Sequence, residues 1–269
     1  MRLKYLNADD CERRYTAEIQ RIGAFEVRGQ SSWYFQANAL VRLAQIAYAV
    51  GRPLAECRSW FRQATGAYHE LFALRGTSFS KQTRFIDGKA LPEETVANDG
   101  YTSVDSFNAA LVSLSFQDIT LAHALVELAG HSPSAYLVSP QSEVCTTNAQ
   151  TLSHALNALI ASDLEIAHRE ATKLTVRRAT KIEQQIALMI SAIATDGDVL
   201  TERDALLYYH AKLATRRDNH ADTSLWLSLP ALALTFLAMH FRHYDLGELE
   251  TDSVYCPIAM LLDADTHAE

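Results

Sequence analysis

Between Asp222 and Tyr244 the chain reads DTSLWLSLPALALTFLAMHFRHY, its most continuously apolar stretch. From Ala231 to Met239 the only polar side chain is Thr235. Ser228 and Pro230 mark a helix start, because a proline in the first turn gives up an N–H that has no intrahelical partner. A helix that is apolar all round belongs either in the middle of a helical bundle or in a bilayer. The clean run falls short of the roughly 20 residues a span requires. It is closed by His240, Arg242 and His243. The stretch therefore predicts a buried helix with other helices wrapped around it, and no membrane span.

The rest of the chain is consistent with that frame. Six prolines and ten glycines in 269 residues favour long helices over a turn-rich β fold. Alanine and leucine dominate the periodic segments, which points the same way. Spacing predicts helices over 8–24, 31–50 and 53–75, the last two joined by Gly51-Arg52-Pro53 as a helical hairpin. On the second helix, Phe35, Ala39, Leu43, Ile46 and Val50 form the expected core face, with Gln36, Asn38, Arg42 and Gln45 opposite. Residues 77–101 carry Gly88, Pro92 and Gly100 and read as a long irregular loop. Helical spacing resumes at 103, with Asp118 capping a further helix that Gly130 ends; 131–146 reads as a second loop. Leu152, Ala155, Leu156 and Leu159 mark the next helix. Another is expected from Asp163 to Arg178, continuing towards Ile193. Thr201 and Asp204 resemble a capping box for the helix ending at Arg216-Arg217. No fixed-period repeat occurs. The predicted fold is all-α: an irregular bundle of repeat-like antiparallel hairpins around the apolar C-terminal helix. It is expected to form one domain over 1–269, with a possible division into 1–76 and 103–269.

The net charge of -8 argues against a general nucleic-acid binder. Cys11, Cys57, Cys145 and Cys256 are far apart and form no C-x-x-C pair, so neither a zinc ribbon nor a dithiol motif is present. The start, MRLKYLNADDCERR, has no apolar signal-peptide core, and a reducing cytoplasm is the expected location. Asp9, Asp10 and Glu12 are expected in the first turn of a helix, complementing its dipole and capping its N-terminus. His240 and His243, spaced i, i+3, are near enough on a helix to share a metal. A catalytic zinc needs a third protein ligand, and the sequence fixes none, so no metal and no cofactor is expected. No nucleophile elbow, P-loop or dinucleotide fingerprint is present, and no catalytic residue is assigned.

Three charged features remain as candidate partner surfaces. Arg169, Lys173, Arg177 and Lys181 recur every four residues and would form one stripe on a continuous helix, with Glu165 a turn before Arg169. The 77–101 segment carries Asp87, Glu93, Glu94 and Asp99. After Tyr244 come Asp245, Glu248, Glu250, Asp252, Asp263, Asp265 and Glu269, with no lysine or arginine after Arg242. The partner-binding residues expected are Asp87, Glu93, Glu94, Arg169, Lys173, Arg177, Glu248, Glu250 and Asp252. The apolar run Val254–Leu262 should pack as a short closing helix.

The segments Trp226-Leu227-Ser228-Leu229-Pro230-Ala231-Leu232-Ala233-Leu234, Asp252-Ser253-Val254-Tyr255-Cys256-Pro257 and Leu261-Leu262 resemble the C-terminal part of the immunity protein 49 family. These are bacterial all-helical proteins encoded beside secreted toxins. The resemblance covers about the last 45 residues and brings no catalytic set. It implies a non-enzymatic inhibitor that neutralises a cognate toxin by stoichiometric binding, with a toxin of basic face suiting the acidic balance. The alternatives from other classes are a helical-repeat scaffold with an endogenous partner, and a metal-dependent helical hydrolase using His240, His243 and nearby acids.

Overall fold

Asn7 opens the first helix by accepting a hydrogen bond from the Asp10 N–H (3.0 Å), so the acids of that turn are not the cap. Asp10 instead pairs with Arg13 and Arg14 one turn on. The structure is a computed structural model, and it describes residues 3, 5–24, 30–73, 80–82, 85–86, 89–90, 94–96, 103–129, 147–175, 179–245 and 247–261. The helices in chain order are α1 (Ala8–Gly23), α2 (Gln30–Val50), α3 (Leu54–Ala73), α4 (Ser103–Leu114), α5 (Ile119–Ala129), α6 (Thr147–Ile160), α7 (Leu164–Thr175), α8 (Lys181–Thr195), α9 (Val199–Ala214) and α10 (Leu229–Arg242). The fold is an all-α bundle. Cys145, Gly130, the 131–146 loop and Asp263, Asp265 and Glu269 lie outside the described residues.

The segment read as an irregular loop contains four short strands. Outer β1 (Ser80–Gln82) and β4 (Glu94–Val96) pair antiparallel, and inner β2 (Phe85–Ile86) and β3 (Lys89–Ala90) pair within them. Helical periodicity is absent there because Phe85, Ile86, Thr95 and Val96 are strand-forming residues. The sequence between the inner strands, Asp87-Gly88, is a strong hairpin signal.

Four of the interhelix turns share one construction. At the end of α2, Gly51 takes φ 93°, and the Arg52 N–H reaches back to the Ala47 carbonyl. The same backward bond runs from Asp118 to Ser113, from Asp163 to Ala158 and from Gly197 to Ala192. There the left-handed residue is Gln117, Ser162 or Asp196 in place of glycine. These bonds satisfy carbonyls that a helix end otherwise leaves open. An aspartate then caps the next helix: Asp118 accepts from the Leu121 N–H, Asp163 from Ile166 and Asp198 from Thr201. The α9 cap is thus Asp198, not the pair Thr201 and Asp204. The helix expected to run from Asp163 on towards Ile193 is two helices. Thr180 and Glu183 form a reciprocal capping box at the start of α8, and α8 packs back on α7.

α10 occupies the predicted central position. It packs on α4, α8 and α9 and on the 3-10 turn Ile258–Leu261, and Ala231 to Thr235, Leu237 and Ala238 are buried. The window Thr223–Arg242 is long and apolar enough to cross a membrane by length and composition, but 61% of it is buried inside the fold. Its first residues, Thr223–Leu225, form a 3-10 turn, which leaves 14 residues of α-helix. That is about 21 Å at 1.5 Å per residue, against a hydrocarbon core of roughly 30 Å. His243 ends the helix in the left-handed conformation, φ 57°. The closing segment holds a 3-10 turn rather than an α-helix, with Tyr255, Cys256, Ile258, Met260 and Leu261 buried. It is tied down at two points: the Ser228 N–H donates to the Tyr255 carbonyl (2.8 Å), and the Tyr48 hydroxyl donates to the Val254 carbonyl. Burial pushes the Cys256 thiol up to about 12, so it acts as a small apolar filler.

His210 lies beneath this layer, with Nε2 3.0 Å from the Leu225 carbonyl and its ring edge-on to Tyr255. Burial lowers its proton affinity below the ordinary histidine value of 6.5. The unfolded chain therefore binds that proton more readily. The His210 contribution to stability is present above about pH 6.5 and is lost as pH falls through the lowered folded value. The melting temperature should fall between about pH 7 and pH 5, and His210→Asn should flatten that dependence; an unchanged slope rejects the assignment. At the α6–α7 turn, Ser162→Gly removes the left-handed penalty at a cost in backbone entropy. It should stabilise the protein by about 0.5–1 kcal/mol in denaturant titration.

Candidate functional site

Helix α2 lines two cavities. Asn38, Val41, Arg42 and Gln45 follow i, i+3, i+4, i+7 spacing and so share one stripe. This stripe forms one wall of a cavity of about 440 Å³. Phe107, Asn108, Leu111 and Val112 of α4 form the facing wall, Tyr68 of α3 contributes from between them, and Asp222, Thr223, Ser224, Leu229 and Pro230 close one end. The arrangement follows from packing, because α2 and α4 both lie on α3 while α10 lies on α4.

Polar groups in this cavity are partly committed to one another. Tyr68 donates to Asn38 Oδ1 (3.3 Å), and Asn38 donates to the Tyr34 carbonyl (2.9 Å). Burial raises the Tyr68 phenol well above its ordinary range, and the nearby Asp105 carboxylate adds to the effect. Arg42 is held by Glu18 of α1 through Nε (3.1 Å) and Nη2 (3.0 Å). Asp222 Oδ1 accepts from both the N–H (3.0 Å) and the hydroxyl (2.6 Å) of Ser224. Gln45 is only 2% exposed, a buried carboxamide at the cavity wall.

The first turns of α2 correct the expected core assignment. Phe35, placed on the core face by spacing, is 58% exposed, whereas Gln45, placed opposite, is buried. Ala39, Leu43 and Ile46 are buried as expected. Phe35 meets Tyr34 edge-to-face at 5.6 Å, and Tyr34 is itself 37% exposed. Beside them a groove of about 220 Å³ is lined by Arg21 and Ile22 of α1 and Phe35, Gln36 and Ala39 of α2. The Gln36 Oε1 is buried there with no hydrogen-bond partner among the described residues. Periodicity missed this because Phe35 shares a face with the buried Ala39, Leu43 and Ile46, and spacing does not say at which level of the helix that face is covered. The sequence signal was present: Trp33-Tyr34-Phe35 places three aromatics side by side, and consecutive helical residues cannot all face inward.

The charged residues expected to contact a partner are dispersed. Arg169 and Lys173 both pair with Glu170, so part of their charge is neutralised within α7; Glu165 is not the partner. Burial acts to raise the Glu170 carboxyl, but hydrogen bonds and charge from Lys173 and Arg169 hold it below the usual range. The stripe is interrupted because α7 ends at Thr175 and Lys181 starts α8. Arg177, Asp87 and Glu93 lie outside the described residues, and Glu94 sits in β4 opposite Gln82. Glu250 and Asp252 are exposed. Glu248 is exposed too, but it is tied into a turn, exchanging hydrogen bonds of 2.9 Å with Asp245. Among the described residues no hydrogen bond or ion pair joins Arg169 or Lys173 to the acidic turn.

His240 and His243 are exposed at the end of α10, and His240 lines an open cavity of about 460 Å³ with His123 and Glu127 of α5. His123 and Glu127 pair at 3.4 Å. His210 and His220 face backbone carbonyls of Leu225 and Thr215. Among the described residues no group of three or more His, Cys, Asp or Glu side chains is placed to hold a metal ion.

Comparison with protein-family models, curated proteins and solved structures gave no match.

The acidic turn has one strong internal anchor. Arg203, 4% exposed, donates to the Leu249 carbonyl (2.6 Å) and to Asp204 (2.8 and 2.9 Å), while Leu249 is fully buried. Arg203→Met should cost about 1.5–3 kcal/mol, the range for hydrogen bonds to a charged group. Amide exchange should accelerate at 247–250 while α9 stays protected; uniform acceleration would place the role of Arg203 elsewhere.

Proposed function

We propose that this protein is an immunity protein: a stoichiometric inhibitor that binds a cognate bacterial toxin in the cytoplasm and performs no chemistry of its own. The observation that carries the reading is the exposed Tyr34–Phe35 pair beside the α1–α2 groove. Large aromatic residues next to a pocket, ringed by polar groups, are the usual energetic centre of a protein–protein contact. Arg21, Glu18 and Arg42 supply such a ring, with Glu18 paired to both arginines. The resemblance of the C-terminal segments to immunity protein 49 supplies the class of partner. In this reading the exposed acids Glu248, Glu250 and Asp252 steer a basic toxin towards the protein and add little to final affinity.

A second reading, a helical scaffold for an endogenous partner, is favoured by the successive hairpins α6–α9 with their shared αL-then-aspartate turns. Co-expression separates the two. The toxin encoded beside this gene should be neutralised in cells and should form a one-to-one complex in vitro; growth arrest despite co-expression refutes the immunity reading. Phe35→Ala should weaken the complex by at least about 2 kcal/mol, some thirty-fold, with its melting temperature little changed. Charge reversal at Glu248, Glu250 and Asp252 should instead slow association and flatten its salt dependence. Unchanged kinetics would remove the acidic turn from the encounter surface.

A further inference from the structure

The geometry points to the α2–α4 cavity as a binding site for a small, uncharged heteroaromatic ligand of the nucleobase or nucleoside class. Its volume of about 440 Å³ lies within the span of small-molecule sites. The argument for ligand class comes from the wall chemistry.

Two opposed helices each present a carboxamide among apolar neighbours: Gln45 beside Val41 on α2, and Asn108 beside Leu111 on α4. Side-chain amides offer a donor and an acceptor in one plane, the pattern that matches the edge of a base. Phe107 adds an aromatic ring at the same wall, and unpaired bases are commonly recognised by stacking on such a ring together with edge hydrogen bonds. Gln45 carries the point furthest. A carboxamide that is 2% exposed costs free energy unless something satisfies it, and the cavity is the open side it faces.

The charges discriminate within the class. Among the described lining residues the one guanidinium, Arg42, already pairs with Glu18. Asp222 contributes a carboxylate whose Oδ1 is occupied by Ser224 and whose charge opposes a phosphate. A phosphate would therefore meet net negative surroundings, whereas ribose hydroxyls could donate to Asp222. The site suits nucleosides over nucleotides. This inference does not rest on the toxin-binding reading.

The test is calorimetric and NMR titration of the full chain with adenosine, guanosine, cytidine and uridine, and with their 5′-monophosphates. At least one nucleoside should bind saturably at one site, and its monophosphate should bind about ten-fold or more weakly. Asn108→Leu should weaken the nucleoside by about ten-fold. Thr223→Trp, at the half-buried rim, should block binding without removing a buried polar group, so it serves if Asn108→Leu fails to fold. Absence of saturable binding by all four nucleosides, equal or tighter binding of monophosphates, or undiminished binding by Thr223→Trp would each overturn the assignment.

Discussion

Much of this structure depends on how the chain closes over α10. The Ser228 N–H at the head of that helix donates to the Tyr255 carbonyl, and Tyr48 of α2 donates to the neighbouring Val254 carbonyl. Two adjacent carbonyls of the closing segment are thereby fixed, one to the central helix and one to the N-terminal hairpin. Cys256, Met260 and Leu261 then fill the space between α3 and α10. The arrangement resolves a physical problem. A helix as apolar as α10 needs cover from several sides, and helices α4, α8 and α9 pack on it. The 3-10 turn Ile258–Leu261 packs on it as well. The same layer positions Trp226, whose indole N–H reaches the His220 carbonyl (3.3 Å), and through it the segment that closes the α2–α4 cavity.

Around that closure the bundle grows by one repeated device. A helix ends on a residue in the left-handed conformation, the following N–H bonds back to the helix, and an aspartate caps the next helix. The device satisfies both helix ends within a few residues, which keeps consecutive helices antiparallel and in contact. It appears at the α4–α5, α6–α7 and α8–α9 turns, and the α2–α3 turn uses glycine and proline for the same ends. The repetition explains why the chain reads as hairpins without a sequence repeat: the turns recur in geometry, while the helices differ in length and in what they bury.

The functional surfaces lie where this regularity lapses. Helix α2 is the longest among the described residues, and near its start Tyr34 and Phe35 are exposed. One turn further on, its polar stripe faces α4 across a cavity rather than packing against it. One helix thus presents an aromatic knob and a polar wall between Tyr34 and Gln45. The charged residues that drew attention in the sequence are distributed otherwise. Arg169 and Lys173 share Glu170, and Glu248 spends hydrogen-bonding capacity on its own turn.

The fold class, most helix positions and the central place of α10 were legible in the chain because helical spacing and apolar continuity are local properties. Asp118, Gly51 and Pro53 announced their turns by chemistry alone. The break between α7 and α8 was also written there, in Thr180 and Glu183, but the four-residue recurrence of basic residues ran across it. Other features could not be read locally. Whether Phe35 or Gln45 of α2 faces inward depends on which neighbour reaches that level of the helix, and residues i and i+10 on one helix can meet different neighbours. The strands at 80–96 needed partners up to sixteen residues away, the span from Ser80 to Val96. By itself the sequence determined that helices form and that one of them must be buried. Only the tertiary structure decided where burial stops, and a binding surface is defined by that limit.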